Sequence, residues 1–129
     1  TKAAVAEAAF SAGADMINDV SALRDDPAML PLVTRSRIPV VLMHRRGDPR
    51  TMQQLTKYND VVDDVARELS GFGARAIDGG VDASQVLIAP VIFFSKTSAP
   101  PVEILALVLE VRSIPPVVLG SSLLSFIVD

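Results

Sequence analysis

Cysteine and tryptophan are absent from this sequence, and tyrosine occurs once. Without cysteine the chain cannot form a disulfide, a zinc–thiolate site or a thiol nucleophile, and this composition is what we expect of a cytoplasmic protein. Because aromatic side chains are few and the net charge is only −3, neither base stacking nor a basic phosphate-binding surface is favoured. We therefore expect no nucleic-acid partner.

Long uninterrupted apolar runs are also missing. The most apolar region, residues 102–128, is interrupted by Glu103, Glu110, Arg112 and a pair of prolines, so no membrane span is predicted there. The first residues resemble the start of a helix and lack the apolar centre of a secretory signal. The chain has 129 residues, of which 50% are hydrophobic. This size and composition predict one globular domain over residues 1–129.

Helical and strand patterns alternate along the chain. Apolar residues at steps of three and four predict a helix over residues 60–77, capped by Asn59 or Asp60 and ended by Gly79 and Gly80. Short apolar runs bounded by polar residues predict strands. The full set is helices at residues 3–12, 27–34, 60–77 and 101–112, and strands at residues 16–20, 38–43, 86–88 and 117–119. This order is typical of an α/β fold with about four parallel strands and flanking helices.

Polar residues follow two of the predicted strands at the point where each strand ends. The run VVLMHRRGD at residues 40–48 passes directly from apolar to charged residues, and MINDV at residues 16–20 carries an asparagine and an aspartate. Because the carboxyl ends of parallel strands meet at one edge of a sheet, these side chains are expected to line a pocket there. Arg45, Arg46 and Arg50 either attract an anionic substrate or lie in a solvated loop.

His44 is the one histidine of the chain. A general base or a metal ligand is conceivable at this position, but without a second histidine or a cysteine no metal site is predicted. We expect His44 to orient the loop that follows its strand. The acidic residues at positions 60, 63 and 64 are better explained by helix capping than by metal binding.

Taken together, these motifs resemble dihydropteroate synthase. The matching segments are AGADMINDVS at residues 12–21 and PVVLMH at residues 39–44, supported by MQ at residues 52–53, Tyr58 and the amphipathic helix that follows. The resemblance implies part of a TIM-type (βα)8 barrel, since a complete barrel needs about 250 residues. It also implies a cytoplasmic transferase of folate biosynthesis, which condenses a pterin pyrophosphate with p-aminobenzoate.

The resemblance further implies site residues. Asn18 would hydrogen-bond the pterin ring, Met43 would pack in the pterin pocket, and Lys96 would lie near the pterin. Phe94 would flank p-aminobenzoate or belong to the core, and Ser122 is kept from a Ser-Arg-Lys motif. Without the resemblance, Asn18 would be interpreted as a strand-end residue that satisfies loop backbone. No catalytic residue and no metal ligand is identified, and Mg²⁺ is implied only together with the pyrophosphate substrate.

Residues 89–129 depart from the pattern of the family. Ala89 stands where the family has an aspartate that binds the N–H groups of the pterin, and Leu124 stands where it has a lysine. These changes predict an impaired dihydropteroate synthase. The alternatives are a non-catalytic structural or assembly relative and a pterin-binding methyltransferase domain. Because half a barrel leaves two sheet edges open, a homodimer is a further expectation.

Overall fold

Helices and strands alternate in the computed structural model, which describes residues 2–46 and 60–89. The elements in chain order are α1 Ala3–Ser11, β1 Ile17–Asp19, α2 Met29–Ser36, β2 Val40–Met43, α3 Val61–Asp78 and β3 Val86–Ala89, with a 3-10 turn Ala83–Gln85 before β3. The predicted α/β alternation is confirmed, whereas the predicted helix at 101–112 and strand at 117–119 lie outside the described residues. In the part of the chain that is described, no helix is both long enough and apolar enough to cross a membrane.

The three strands form one parallel sheet in the order β1-β2-β3. Asn18 is the register partner of Val41, and Met43 is the partner of Ala89. Parallel neighbours need a crossover connection, and α2 and α3 supply these crossovers. The described residues therefore have the repeating βα arrangement from which a barrel is built.

The two faces of the sheet carry two separate apolar clusters. Side chains alternate between the faces of a strand, so residues two apart share a face. The face beneath the helices holds the main core, which contains Ala22, Val33, Val40, Leu42, Val65, Leu69, Ala76, Val81, Val86 and Ile88. On the opposite face Val41, Met43 and Ala89 form a smaller cluster, against which Val20 and Leu87 pack. In a barrel this second face is the one that points inward.

Local sequence explains where α3 begins and ends. The backbone amide of Asp63 donates to the Asp60 side chain at 3.0 Å, which confirms the predicted cap at Asp60. At the other end Gly80 has φ of +99°, and the amide of Val81 donates to the carbonyl of Ala76 at 3.1 Å. This is the glycine-terminated helix end that the sequence predicts.

The predicted start of the second helix is wrong. α2 begins at Met29 and not at Pro27. Residues 26–29 form a turn before the helix, in which the amide of Met29 donates to the carbonyl of Asp26 and the amide of Ala28 to its carboxylate, both at 3.0 Å. Pro31 lies in the first turn instead, where a missing amide hydrogen removes no helical bond. The strand boundaries also shift: β1 and β2 are each two residues shorter than predicted, and β3 is one residue longer.

Candidate functional site

Two predicted site residues, Asn18 and Met43, lie on the same face of the sheet. Asn18 pairs with Val41 on β2, and Met43 follows Val41 by two residues. Neighbours in a parallel ladder and residues two apart in one strand share a face. Since this face carries the cluster of Val41, Met43 and Ala89, the sheet brings a side-chain amide beside apolar walls at its carboxyl edge.

The Asn18 side chain is exposed and makes no hydrogen bond to another residue of the described ranges. Its neighbour Asp19 is fully buried and organises the loop after β1. The carboxylate of Asp19 accepts from the amide and hydroxyl of Ser21, both at 2.9 Å, and from the amide of Leu23 at 2.8 Å. The role of satisfying the loop backbone therefore belongs to Asp19, which the sequence analysis missed. An aspartate at a strand end with a serine two residues later was the available signal.

A charge network formed by His44, Arg46, Asp64 and Glu68 ties the end of β2 to α3. Glu68 accepts through Oε2 from Nε2 of His44 at 2.9 Å, and through Oε1 from Nε and Nη2 of Arg46 at 2.8 and 2.5 Å. Arg46 also pairs with Asp64 at 3.2 Å. The backbone amide of His44 donates to the carbonyl of Ala89 at 3.1 Å, so the network reaches the ends of both β2 and β3.

Burial and pairing set the protonation states within this network. Burial lowers the pKa of His44 and outweighs the opposing effect of Glu68, so the imidazole is neutral near pH 7. Since a carboxylate only accepts, Nε2 of His44 carries the hydrogen. Burial alone would raise the pKa of Glu68, but the hydrogen bonds from Arg46 and His44 outweigh it and lower this pKa. The result is a neutral imidazole that donates to an ionised carboxylate. His44 thus faces α3; beyond residue 46 the segment that it was expected to orient lies outside the described residues.

Arg45 points toward the loop after β1. Its Nη2 donates to both carboxylate oxygens of Asp25 at 2.7 and 2.9 Å, and its carbonyl accepts from Nη2 of Arg24 at 2.6 Å. The Arg45 and Arg46 side chains are only 6% and 22% exposed, so the alternative of a solvated loop is wrong for them. Their carboxylate partners also leave little net positive charge to attract an anionic substrate. Arg50 lies outside the described residues.

The Phe72 ring contacts two arginines and His44, and it also packs against the main core. The guanidinium of Arg24 lies 4.3 Å and that of Arg75 5.6 Å from the ring centroid, and His44 stacks on the ring at 6.4 Å. Cations over an aromatic face are attracted by the ring quadrupole. In the sequence, Phe72 is one of the apolar residues at steps of three and four that predict α3. The spacing of Glu68, Phe72 and Arg75 by four and three residues was the signal for a second face.

The remaining predicted site residues, Phe94, Lys96 and Ser122, lie outside the described residues. Ala89 is described: it is buried on the apolar face and paired with Met43. Among residues 2–46 and 60–89, no three histidine, aspartate or glutamate side chains are grouped so as to hold a metal ion.

Comparison with known proteins decides the family. The model of the pterin-binding enzyme family matches residues 1–129. The chain belongs to this family. It is 37% identical over 128 residues to a dihydropteroate synthase of Synechocystis, a match that covers 98% of this chain and 44% of that protein.

Solved structures of this pterin-binding family confirm the partial barrel. The dihydropteroate synthase of Xanthomonas albilineans in complex with 7,8-dihydropteroate has a TM-score of 0.78 and 41% identity, and the match covers 94% of this chain and 43% of that one. The enzyme from Thermus thermophilus in complex with 6HMPPP has a TM-score of 0.76 and 34% identity, with 99% and 53% covered. The chain thus spans about half the length of these relatives or less.

Proposed function

We propose that this chain is part of a dihydropteroate synthase, which condenses a pterin pyrophosphate with p-aminobenzoate and releases pyrophosphate in folate biosynthesis. The observation that carries the proposal is the exposed Asn18 amide on the same sheet face as the cluster of Val41, Met43 and Ala89. A flat heterocycle with donors and acceptors on its edge requires a polar partner beside apolar walls. The solved relatives whose structures contain 7,8-dihydropteroate and 6HMPPP support the same ligand class.

In this proposal each predicted residue has a role. Asn18 hydrogen-bonds the pterin ring and Met43 packs against it, while Lys96 and Ser122 complete the pterin side and Phe94 flanks p-aminobenzoate. Mg²⁺ arrives with the pyrophosphate group of the substrate. Residues 1–129 act as one domain, a second copy of the chain covers the open sheet edges, and the reaction takes place in the cytoplasm.

Ala89 supports the further proposal that pterin binding is weak. It lies opposite Met43 in the ladder, where the family resemblance places an aspartate. A methyl group cannot accept from the pterin N–H groups, and leaving buried donors unpaired costs roughly 1–3 kcal/mol. That corresponds to roughly 5- to 150-fold in affinity. We therefore expect both binding and turnover to be reduced.

Calorimetric titration with a pterin pyrophosphate tests this function. We expect measurable but weak binding, about tenfold weaker binding for Asn18→Ala because one amide partner is lost, and tighter binding for Ala89→Asp. Ser11→Ala is the control, since Ser11 is exposed at the end of α1, away from the carboxyl edge of the sheet. Circular dichroism verifies that each variant is folded.

Two results would contradict the proposal. Equal affinity of Asn18→Ala and the unchanged chain would remove Asn18 from the site, and the absence of heat for all variants, including Ala89→Asp, would overturn the function. Ala89 also favours the second candidate, a non-catalytic relative. Tight pterin binding by Ala89→Asp without incorporation of labelled p-aminobenzoate would support that candidate instead.

A further inference from the structure

Three consecutive side chains after β2 are each held by a carboxylate from another part of the chain. His44 and Arg46 bond Glu68 on α3, and Arg45 between them bonds Asp25 in the loop after β1. Successive side chains of an extended segment point to opposite sides, so residues 44–46 are held by carboxylates on two sides. These bonds restrict the conformational freedom of the backbone directly after Met43.

Glu68 holds this segment from the α3 side. Both of its carboxylate oxygens are used, Oε2 by His44 and Oε1 by Arg46. Exposed ion pairs contribute little, but the exposed fractions here are 3% for the His44 side chain, 22% for Arg46 and 27% for Glu68. Charge-assisted hydrogen bonds in such partly desolvated positions are short and directional. Glu68 can therefore fix geometry as well as neutralise charge.

The residues held in this way come directly after Met43, a proposed site residue. Met43 precedes His44 and lies on the inward face, where it pairs with Ala89. The amide of His44 donates to the carbonyl of Ala89, which continues the β2–β3 ladder past Met43. A site side chain is held accurately only when the residues around it are themselves locked.

We propose that Glu68 is a positioning residue, which through His44 and Arg46 fixes the end of β2 and so holds Met43 in place against the pterin pocket. The proposal rests on the proposed function for the identity of the ligand. Glu68 lies on α3, on the helix-covered side of the sheet, and acts on the pterin only through the β2 end.

Methionine methyl NMR on the full chain tests the proposal together with pterin titration. Glu68→Gln keeps the size of the side chain but leaves one acceptor oxygen in place of two. We expect the Met43 methyl signal to shift or broaden, the signal of the buried Met29 at the start of α2 to stay unchanged, and the Kd for a pterin pyrophosphate to rise roughly tenfold.

Glu7→Gln is the matched control. It makes the same chemical change in an exposed ion pair, Glu7 with Arg35 at 2.7 Å, and should alter neither the Met43 signal nor the Kd. Glu68→Asp keeps the charge on a shorter side chain and should restore part of the pterin affinity.

The outcomes separate positioning from simple stabilisation. If Glu68→Gln lowers the free energy of unfolding but leaves the Met43 signal and the Kd unchanged, the proposal is overturned. If the unchanged chain binds no pterin, the proposed function fails, while the Met43 signal still decides the positioning role. Should Glu68→Gln not fold, Arg46→Gln removes the bonds from Arg46 to Glu68, leaves the bond from His44, and is judged by the same readouts.

Discussion

A single buried carboxylate shapes the loop after β1. Its bonds within the described residues include two from Ser21 and one from Leu23, all accepted by the carboxylate of Asp19. Between β1 and α2, Ala22 and Leu23 adopt positive φ values of 51° and 61°, a conformation that costs about 1–2 kcal/mol for each residue other than glycine. The bonds to Asp19 offset this cost, so the loop keeps a shape that its residue types do not favour.

Removing this carboxylate should destabilise the chain strongly. For Asp19→Ala we expect the free energy of unfolding to fall by about 3 kcal/mol, because buried donors lose a charged acceptor. Asp19→Asn should lose less, since its amide oxygen still accepts. Urea unfolding at pH 7 measures both changes. Asp78→Ala, at an exposed position at the end of α3, is the control and should stay within about 0.5 kcal/mol; equal effects at positions 19 and 78 would contradict the role of Asp19.

At the scale of elements, α3 packs against the main core with one face and contacts the residues after β2 with an adjacent face. Val65, Leu69 and Ala76 face the main core, whereas Glu68 and Phe72 contact the residues after β2. Residues four apart on a helix are neighbours, so both faces are continuous. The network couples α3 to the end of β2, and its strength depends on protonation.

Acidification should therefore weaken the fold in two steps. The pKa of folded His44 lies below its ordinary value of 6.5, so below about pH 6.5 the unfolded chain binds a proton that the folded chain excludes. The free energy of unfolding falls as the pH drops from 6.5 toward the pKa of the folded state. The pKa of Glu68 in the folded chain is lowered from 4.5. Glu68 therefore contributes stability above pH 4.5, and this contribution is lost as the pH falls from 4.5 through the pKa of the folded state.

Urea unfolding at pH 7.5, 6.5, 5.5 and 4 measures this dependence. His44→Gln can still donate to Glu68 but has no titrating group near neutrality. We expect this variant to show a flatter profile between pH 7 and 5.5, and to retain the loss of stability below pH 4.5. Identical slopes for the variant and the unchanged chain above pH 5.5 would show that His44 does not couple protonation to folding.

At the scale of the whole molecule, the order of elements was predictable because it depends on local patterns. The 3.6-residue stripe of α3, its cap at Asp60 and its glycine end at Gly80 all act within a few residues of chain. The start of α2 was not predicted, because residues 26–29 form a separate turn closed by the bond from the Met29 amide to the Asp26 carbonyl. An aspartate followed by a proline suits such a turn as well as a first helical turn, so local propensity does not separate the two.

The candidate site was predictable only in part, for a related reason. Strand alternation and the family resemblance indicated Asn18 and Met43, and the register of β1 with β2 brings them to one face. The network around Glu68 joins residues that are 22 and 24 positions apart. No local pattern specifies which charges will pair over such separations, although the helical spacing of Glu68 and Phe72 shows that they share a face.

The main core joins α2, α3, β2 and β3, and a single cavity in it should weaken all four elements. Leu69 is fully buried on α3 in the cluster that also contains Val33 of α2 and Val40 of β2. Truncation of a buried leucine to alanine costs about 3–5 kcal/mol, a large part of the roughly 5–15 kcal/mol that stabilise a whole domain.

For Leu69→Ala we therefore expect a large fall in urea midpoint by circular dichroism, with the Met29 and Met43 methyl signals lost together. Ile77→Ala in the same helix, 39% exposed, should cost less than about 1 kcal/mol. Separate transitions for Met29 and Met43 would show that α2 and the end of β2 unfold independently, and would contradict a main core that includes both Val33 of α2 and Leu42 of β2.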